Sequence, residues 1–315
     1  MADLLMVTKK NVQGYVLNYL FKQLAVKSGH NYTCEFLDKF NLPDIGNYAD
    51  KADILIVAGF PFYESQRTAL DEALQAMNNP FSQFYHLATF GDTYSNEGSF
   101  HSYVDEVVSP VGNFPKIVEE LDKFLNFNQR YNAFVHLFLY ENSSVIEATD
   151  AYNRYEVTDN ILDWVSLVET YGESLYEKYG TEADLEEILD KDKTLVKALR
   201  EKRDDYIKRI LGRTSAQVVN GTVICFTYAE EYVNEVAHKL IEFYQSYNYT
   251  RIAVFVGRHT KGDDMFSIRT SGIDAGELAY KVNRGRGKPT TATVFLGNSG
   301  QSTFNALLNT LAQIV

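Results

Sequence analysis

The sequence predicts an α/β protein of two domains, an N-terminal domain built on a parallel sheet and a smaller C-terminal α/β domain, joined by a long helix. Three observations carry this. In the first half, helical periodicity alternates with short apolar runs of strand length. Between about Thr181 and Leu211, acids and bases interleave around spaced apolar residues, the pattern of a helix with a solvated face. The last third is β-rich and opens on Asn220-Gly221 between two β-prone runs, the strongest short-range hairpin signal. The expected division is residues 1–180, a linker helix over 181–212, and 213–315.

In chain order, Val12, Tyr15, Val16, Tyr19 and Leu20 fall at helical spacing after Asn11, which has an N-cap side chain. Ile54 to Ala58 is continuously apolar and reads as a strand buried on both faces. A helical stretch follows from about Ser65 to Met77, then a shorter strand at Phe84 to Phe90 and a helix from Phe114 to Phe127. The charge-dense helix centres on Leu185, Ile188, Leu189, Leu195, Val196, Leu199, Ile207 and Ile210 and ends near Gly212. Beyond the hairpin over 217–226, Val233, Val236, Ala237, Leu240, Ile241 and Tyr244 form one apolar stripe. Strands are expected at Arg251 to Val256, Met265 to Arg269 and Thr291 to Phe295. Asp274 and Glu277 have capping-box spacing and open a short helix between the last two strands, and a closing helix runs from about Ser302.

Composition narrows the function. The 315 residues carry 30 Lys and Arg against 42 Asp and Glu, a net charge of −12, which argues against a broad electropositive surface for duplex DNA or anionic lipid while leaving room for a local basic site. The strongest apolar runs, Ile54 to Ala58 and Phe134 to Tyr140, are far below the length that spans a bilayer. The N-terminus lacks the charged flank and long apolar core of a secretory signal, so a cytoplasmic protein is expected. With only Cys34 and Cys225, a disulfide scaffold and a cysteine-based zinc cluster are both excluded.

The stretch richest in chemistry is Tyr280 to Thr291, where Lys281, Arg284, Arg286 and Lys288 surround Gly285 and Gly287. Glycines let a backbone approach a ligand and present N–H groups, and the flanking cations suit a phosphate. The bland reading is a solvated basic loop. It is not a P-loop: Pro289 follows Lys288, and the segment leads into a strand instead of a helix. Arg258 and His259 at one strand end, and Arg269 within Ser267-Ile-Arg-Thr-Ser271, are expected to point to the same place.

Taken together, the Val218 to Val223 hairpin, Ala229-Glu-Glu-Tyr-Val-Asn-Glu-Val-Ala-His238, Arg258, Ser267 to Ser271, Ile273 to Ala279 and the glycine loop resemble, in that order, the DHH-associated C-terminal domain of the DHH phosphoesterase superfamily, in its oligoribonuclease and cyclic-nucleotide phosphodiesterase branch. Of that family's GGGGHPxAAGF-like substrate loop, Gly285, Gly287, Pro289 and Ala292 match, while Lys288 stands at the histidine position. A lysine contacts phosphate as a point charge but is no near-neutral proton carrier. Ala151-Tyr-Asn-Arg-Tyr155 resembles the family's YDxW element with Asn153 at the aspartate position.

The resemblance implies a catalytic half holding two Mn²⁺ or Mg²⁺ ions on Asp and His ligands. At the matching positions stand Lys9 and Asn11, then Val57-Ala-Gly59, and His86-Leu-Ala-Thr89 followed by Phe90 and Gly91. The expectation is therefore a degenerate protein without metal or other cofactor, the nearest candidates for an alternative metal set being His86, Asp92 and Asp150 beside the altered motifs. It would bind a nucleotide, a cyclic or linear dinucleotide or a short single-stranded nucleic acid without hydrolysing it, through Arg258, His259, Arg269, Gly285, Arg286, Gly287 and Lys288. Two alternatives stand beside this: an active Mn- or Mg-dependent phosphodiesterase with a rearranged metal set, and a protein-interaction scaffold or homo-oligomer using its 22 tyrosines at interfaces.

Overall fold

The computed structural model describes residues 2–40, 47–48, 51–60, 83–87, 110–125, 131–180, 182–260, 262–297, 305 and 307–309. The chain divides into two compact units, Met1–Lys197 and Ala198–Val315.

In the first unit, β1 (Asp3–Lys9), β2 (Asn31–Leu37), β3 (Ile54–Ala58) and β4 (Gln83–Leu87) form a parallel sheet in the order β2-β1-β3-β4. The order reverses between β1 and β3, and ligands of open α/β sheets bind outside the C-terminal strand ends at such a point. β3 is buried throughout, as its continuous apolar run requires. The sequence reading did not anticipate β1 and β2. Leu4-Leu5-Met6-Val7 is too short and too rich in helix formers for periodicity to separate strand from helix.

Helix α1 (Val12–Ser28) starts as expected, with Asn11 Oδ1 accepting from the Gly14 N–H at 2.9 Å, and it stops at Gly29, whose left-handed φ of 75° a side chain would disfavour. Further on, α2 (Phe114–Leu125) takes the place of the helix expected over 114–127. The apolar run Phe134 to Tyr140, of strand length in the sequence, lies in α3 (Tyr131–Glu141). Next come α4 (Ser143–Arg154) and α5 (Asp159–Tyr171), where buried Trp164 donates from Nε1 to Thr149 Oγ1 at 2.9 Å. The stretches expected as a helix at 65–77 and as a strand over 88–90 lie outside the described residues, as does most of the closing helix.

The charge-dense stretch is not one helix. After the short α6 (Leu175–Tyr179), it forms α7 (Leu185–Lys191), capped by Asp184, and then α8 (Lys193–Leu211), in which the division between the two units falls. The break comes at Asp192, whose carboxylate accepts from the Tyr171 and Tyr179 hydroxyls and pairs with Lys178 at 3.2 Å. These partners hold the Asp192 side chain largely covered within the first unit.

The second unit is a six-stranded mixed sheet in the order β5-β6-β7-β8-β10-β9. β5 (Ser215–Val219) and β6 (Thr222–Tyr228) form the expected hairpin, and both turn residues are left-handed, Asn220 at φ 47° and Gly221 at φ 77°, as a type I′ turn needs. Helix α9 (Val233–Gln245) connects β6 to the parallel β7 (Ile252–Arg258). β8 (Asp263–Ser271), α10 (Ala275–Asn283), the two-residue β9 (Arg286–Gly287) and β10 (Thr291–Gly297) complete the unit. The side chains of each strand alternate between two cores. Val223, Cys225, Val254 and Val256 pack with Val236, Ala237 and Leu240 of α9. Ile224, Phe255, Phe266, Ile268, Ala292 and Val294 pack with Ala275, Leu278 and Ala279 of α10.

Candidate functional site

The pairing register assigns the basic residues of the second unit to faces. In antiparallel and parallel neighbours alike, directly paired residues project to the same side of a sheet. Three rows therefore cross the α9 side. Arg258 pairs with Met265, which pairs with Phe295; Val256 pairs with Ser267, then Thr293, then Arg286; Val254 pairs with Arg269, then Thr291. Arg258, Arg269 and Arg286 thus share one face with the hydroxyls of Ser267, Thr291 and Thr293.

Each arginine is held differently. Arg269 is only 8% exposed, donates from Nη2 to Asn234 Oδ1 at 2.7 Å and from Nη1 to the Ile268 carbonyl at 2.8 Å. Arg258 is half-buried, with its Nε shielded from water and without a hydrogen-bond partner, a donor still to be satisfied. Arg286 is exposed. Glu235 of α9 lies within the field of Arg269 and Arg258. Burial raises its carboxyl above the ordinary carboxylate range, and the charges of Arg203, Arg269 and Arg258 offset that in part. His238, one turn further on, is pushed down by burial and by Arg269.

The glycine loop does something other than present its amides. Ala275 N–H donates to the Pro289 carbonyl at 2.8 Å and Gly276 N–H to the Lys288 carbonyl at 3.0 Å, so the first amides of α10 are spent on the loop itself. A Cβ on Gly287 would overlap Ala292, and one on Gly285 would crowd Ala279 Cβ at 2.9 Å. Both glycines are needed because β9 lies flat on β10 and α10. Lys288 occupies the tight turn, its N–H donating to the Thr291 carbonyl at 2.7 Å, and partial desolvation lowers its ammonium below the usual lysine range.

His259 does not join the arginines. Its ring stacks on Tyr228 with centroids 4.5 Å apart, and its Nδ1 donates to Asp264 Oδ1 at 3.0 Å, while the Tyr228 hydroxyl donates to Asp264 Oδ2 at 2.7 Å. Tyr228 belongs with the α10-side core, and Asp264 pairs with Leu296 on that same side, so this trio stands on the opposite face of the sheet. The register therefore does not bring His259 to the face that carries Arg269. The expectation gave no weight to strand alternation, which sends Arg258 and the next residue to opposite sides. Asp264 and Tyr228 were missed; an aspartate five residues after a histidine across a turn is a weak signal without the register.

In the first unit, Lys9 ends β1 at the sheet's switch point, its Nζ lying 5.4 Å from the centre of the Phe60 ring. Asn11 Oδ1 is occupied as the cap of α1, and a Cβ on Gly14 would overlap the Lys9 carbonyl, so the strand-to-helix turn is tight. An ammonium and an engaged amide do not fit a divalent ion that asks for carboxylates at these positions. Among the described residues, no group of three His, Cys, Asp or Glu side chains comes together to hold a metal. Asp150 is buried on α4 against Gly112, whose Cβ position its carboxylate would overlap. His86 is placed on β4 opposite Val57; its side chain and Asp92 lie outside the described residues.

No family model matches the sequence, and no curated protein matches it. Solved structures do. A manganese-bound exonuclease RecJ aligns over 100% of this chain and 91% of its own at a TM-score of 0.51 and 11% identity. RecJ from Thermus thermophilus in complex with Mn²⁺ aligns over 100% of this chain and 52% of its own at a TM-score of 0.52 and 10% identity. A pGpG-specific phosphodiesterase from Vibrio cholerae aligns over 99% of both chains at a TM-score of 0.49 and 15% identity. The fold is DHH phosphoesterase-like: a parallel-sheet unit followed by a second α/β unit, spanning the whole chain. The identity is low enough that the likeness speaks to fold and not to chemistry.

Proposed function

We propose that this protein binds a short oligonucleotide or a cyclic or linear dinucleotide in the cytoplasm without hydrolysing it, on the α9 side of the second sheet. In this reading residues 1–180 are a degenerate DHH-type domain, 181–212 the linker and 213–315 the binding domain. The observation that carries it is the register that sets Arg258, Arg269 and Arg286 on one face among Ser267, Thr291 and Thr293. Arginine forks match phosphate oxygens bidentately, and hydroxyls serve the remaining acceptors. In a chain of net charge −12, such a face is a local attractor for anions. The half without hydrolysis rests on Lys9 and on the engaged Asn11, which oppose a metal at the positions where the sequence resemblance implies carboxylate ligands.

Calorimetry with di- and trinucleotides, with and without Mn²⁺, and product analysis of the same samples test both halves. Binding without turnover is expected, weakening as salt rises. Arg286→Glu, on an exposed residue, is expected to weaken binding at least tenfold, with stability within about 0.5 kcal/mol of the wild type. Lys288→Glu is the poorer probe, since Lys288 is half-buried in its turn and a carboxylate there carries its own desolvation cost. Mn²⁺-dependent release of mononucleotides would overturn the non-hydrolytic half, and unaltered affinity in Arg286→Glu would overturn the site.

A further inference from the structure

The same face carries an aromatic ring that the phosphate reading does not use. Phe295 is 52% exposed, the only large apolar side chain of the described β10 that stands so far out; it pairs with β8 and lies beyond the two residues, Ala292 and Thr293, that pair with β9. The register puts it in the row Arg258–Met265–Phe295, at the opposite end of the face from Arg269 and Thr291. That row and the Arg269 row lie four residues apart along the strands, roughly 13 Å at the usual strand rise, with Arg286 and Thr293 on the row between them. The backbone at Phe295 is fixed on both sides: its strand pairs with β8, and its carbonyl accepts from Asn283 Nδ2 at 2.6 Å.

Exposure alone does not mark a ligand, since Phe243, Tyr247 and Tyr280 of the same unit stand out about as far; what sets Phe295 apart is that it offers a flat apolar surface on the face that carries Arg258, Arg269 and Arg286. Nucleobases unstacked from a single strand lie on aromatic rings of sheet faces, and this contact tolerates any base because every base has a π-face. Resting on the nucleotide reading above, we propose that Phe295 is a base-stacking platform, so that a dinucleotide lies along the strands with one base on Phe295, flanked by Met265, and its phosphates reaching toward Arg286 and Arg269. The ligand class narrows accordingly: a nucleobase is required at the Phe295 end, and chains of phosphate without bases lack half of the contact.

The test compares a linear dinucleotide, its analogue with the terminal base removed, and inorganic tripolyphosphate on the full chain. Wild-type protein is expected to bind the dinucleotide about tenfold more tightly than the abasic analogue. Phe295→Ala should erase that difference while leaving tripolyphosphate affinity and the melting temperature unchanged, and Phe295→Trp should restore it. A 2-aminopurine base at the terminal position should lose fluorescence on binding to the wild type and keep it with Phe295→Ala. Equal affinity for dinucleotide and abasic analogue, or full dinucleotide affinity in Phe295→Ala, overturns the platform. If Arg286→Glu still lowers dinucleotide affinity in that case, the phosphate face survives and only the platform is lost. If the wild type binds none of the three probes, both readings fall together.

Discussion

Arg269 and Asn234 fasten strand β8 to helix α9: Nη2 of the arginine donates to the asparagine Oδ1 at 2.7 Å, with the guanidinium almost entirely covered. The consequence is a cation whose direction is set before a ligand arrives, which lowers the ordering cost of binding. Asn234→Ala removes the acceptor and leaves a buried charged donor to find another. A loss of about 1–2 kcal/mol in stability is expected by denaturant titration, together with weaker dinucleotide binding. An Asn234→Ala variant of wild-type affinity would show that the arginine does not depend on this contact for its placement.

The glycine loop makes a prediction of the opposite kind. Because a Cβ on Gly287 would overlap Ala292 backbone and side chain alike, Gly287→Ala must push β9 off β10. The cost is expected at about 2 kcal/mol or more, read as a fall in melting temperature. The same substitution at Gly221, where φ is 77° and the added Cβ meets nothing within 4 Å, costs only the left-handed strain, about 1 kcal/mol. A Gly287→Ala protein as stable as the wild type would mean that the loop is loose and its glycines free to serve a ligand.

What was legible in the sequence follows from how local each signal is. The Asn220-Gly221 hairpin, the Asn11 cap and the Asp274 cap depend on two to four neighbouring residues, and all stand where the residue types place them. The apolar stripe of α9 was legible for the same reason, since its periodicity is set by the core it faces. Strands β1 and β2 were not, because Leu and Met serve a buried strand or a helix equally until pairing decides. The break at Asp192 depends on tyrosines 13 and 21 residues away, beyond any local window. For the site, residue types named the arginines, but only register separates Arg258, Arg269 and Arg286 from His259, and only register brings in Phe295.

His238 gives the second unit a pH dependence of definite sign. Burial and Arg269 lower its pKa from the ordinary 6.5, so the folded state holds its proton less well than the unfolded chain does. Below about pH 6.5 the unfolded state therefore binds more protons, and stability falls as pH falls through that value. Glu235 works the other way: its raised carboxyl holds a proton better in the folded state, so its contribution, full below about pH 4.5, fades as pH rises above that value. Comparing melting curves of the wild type and His238→Gln between about pH 7.5 and 5.5 isolates the histidine, since the drop across that interval should shrink in the variant. An unchanged drop would assign the acid sensitivity to other groups.

The last prediction separates the two faces of the second sheet. Asp264 is 0% exposed, and its two oxygens are taken by the Tyr228 hydroxyl and His259 Nδ1, which leaves an imidazole 58% exposed but fixed in orientation on the α10 side. Tyr228→Phe deletes one donor to a buried carboxylate and is expected to cost about 1–2 kcal/mol. Burial and the neighbouring carboxylate together drive the tyrosine hydroxyl well above its usual range, so it remains a donor throughout the accessible pH scale. His259→Ala removes the exposed partner and should cost less, because water can reach the oxygen it leaves. Neither change touches the arginine face, so dinucleotide affinity should stay within about twofold of the wild type in both variants. A tenfold loss in His259→Ala with stability preserved would instead carry the ligand around the strand ends to the other face, and the site would then have to be drawn to include the histidine.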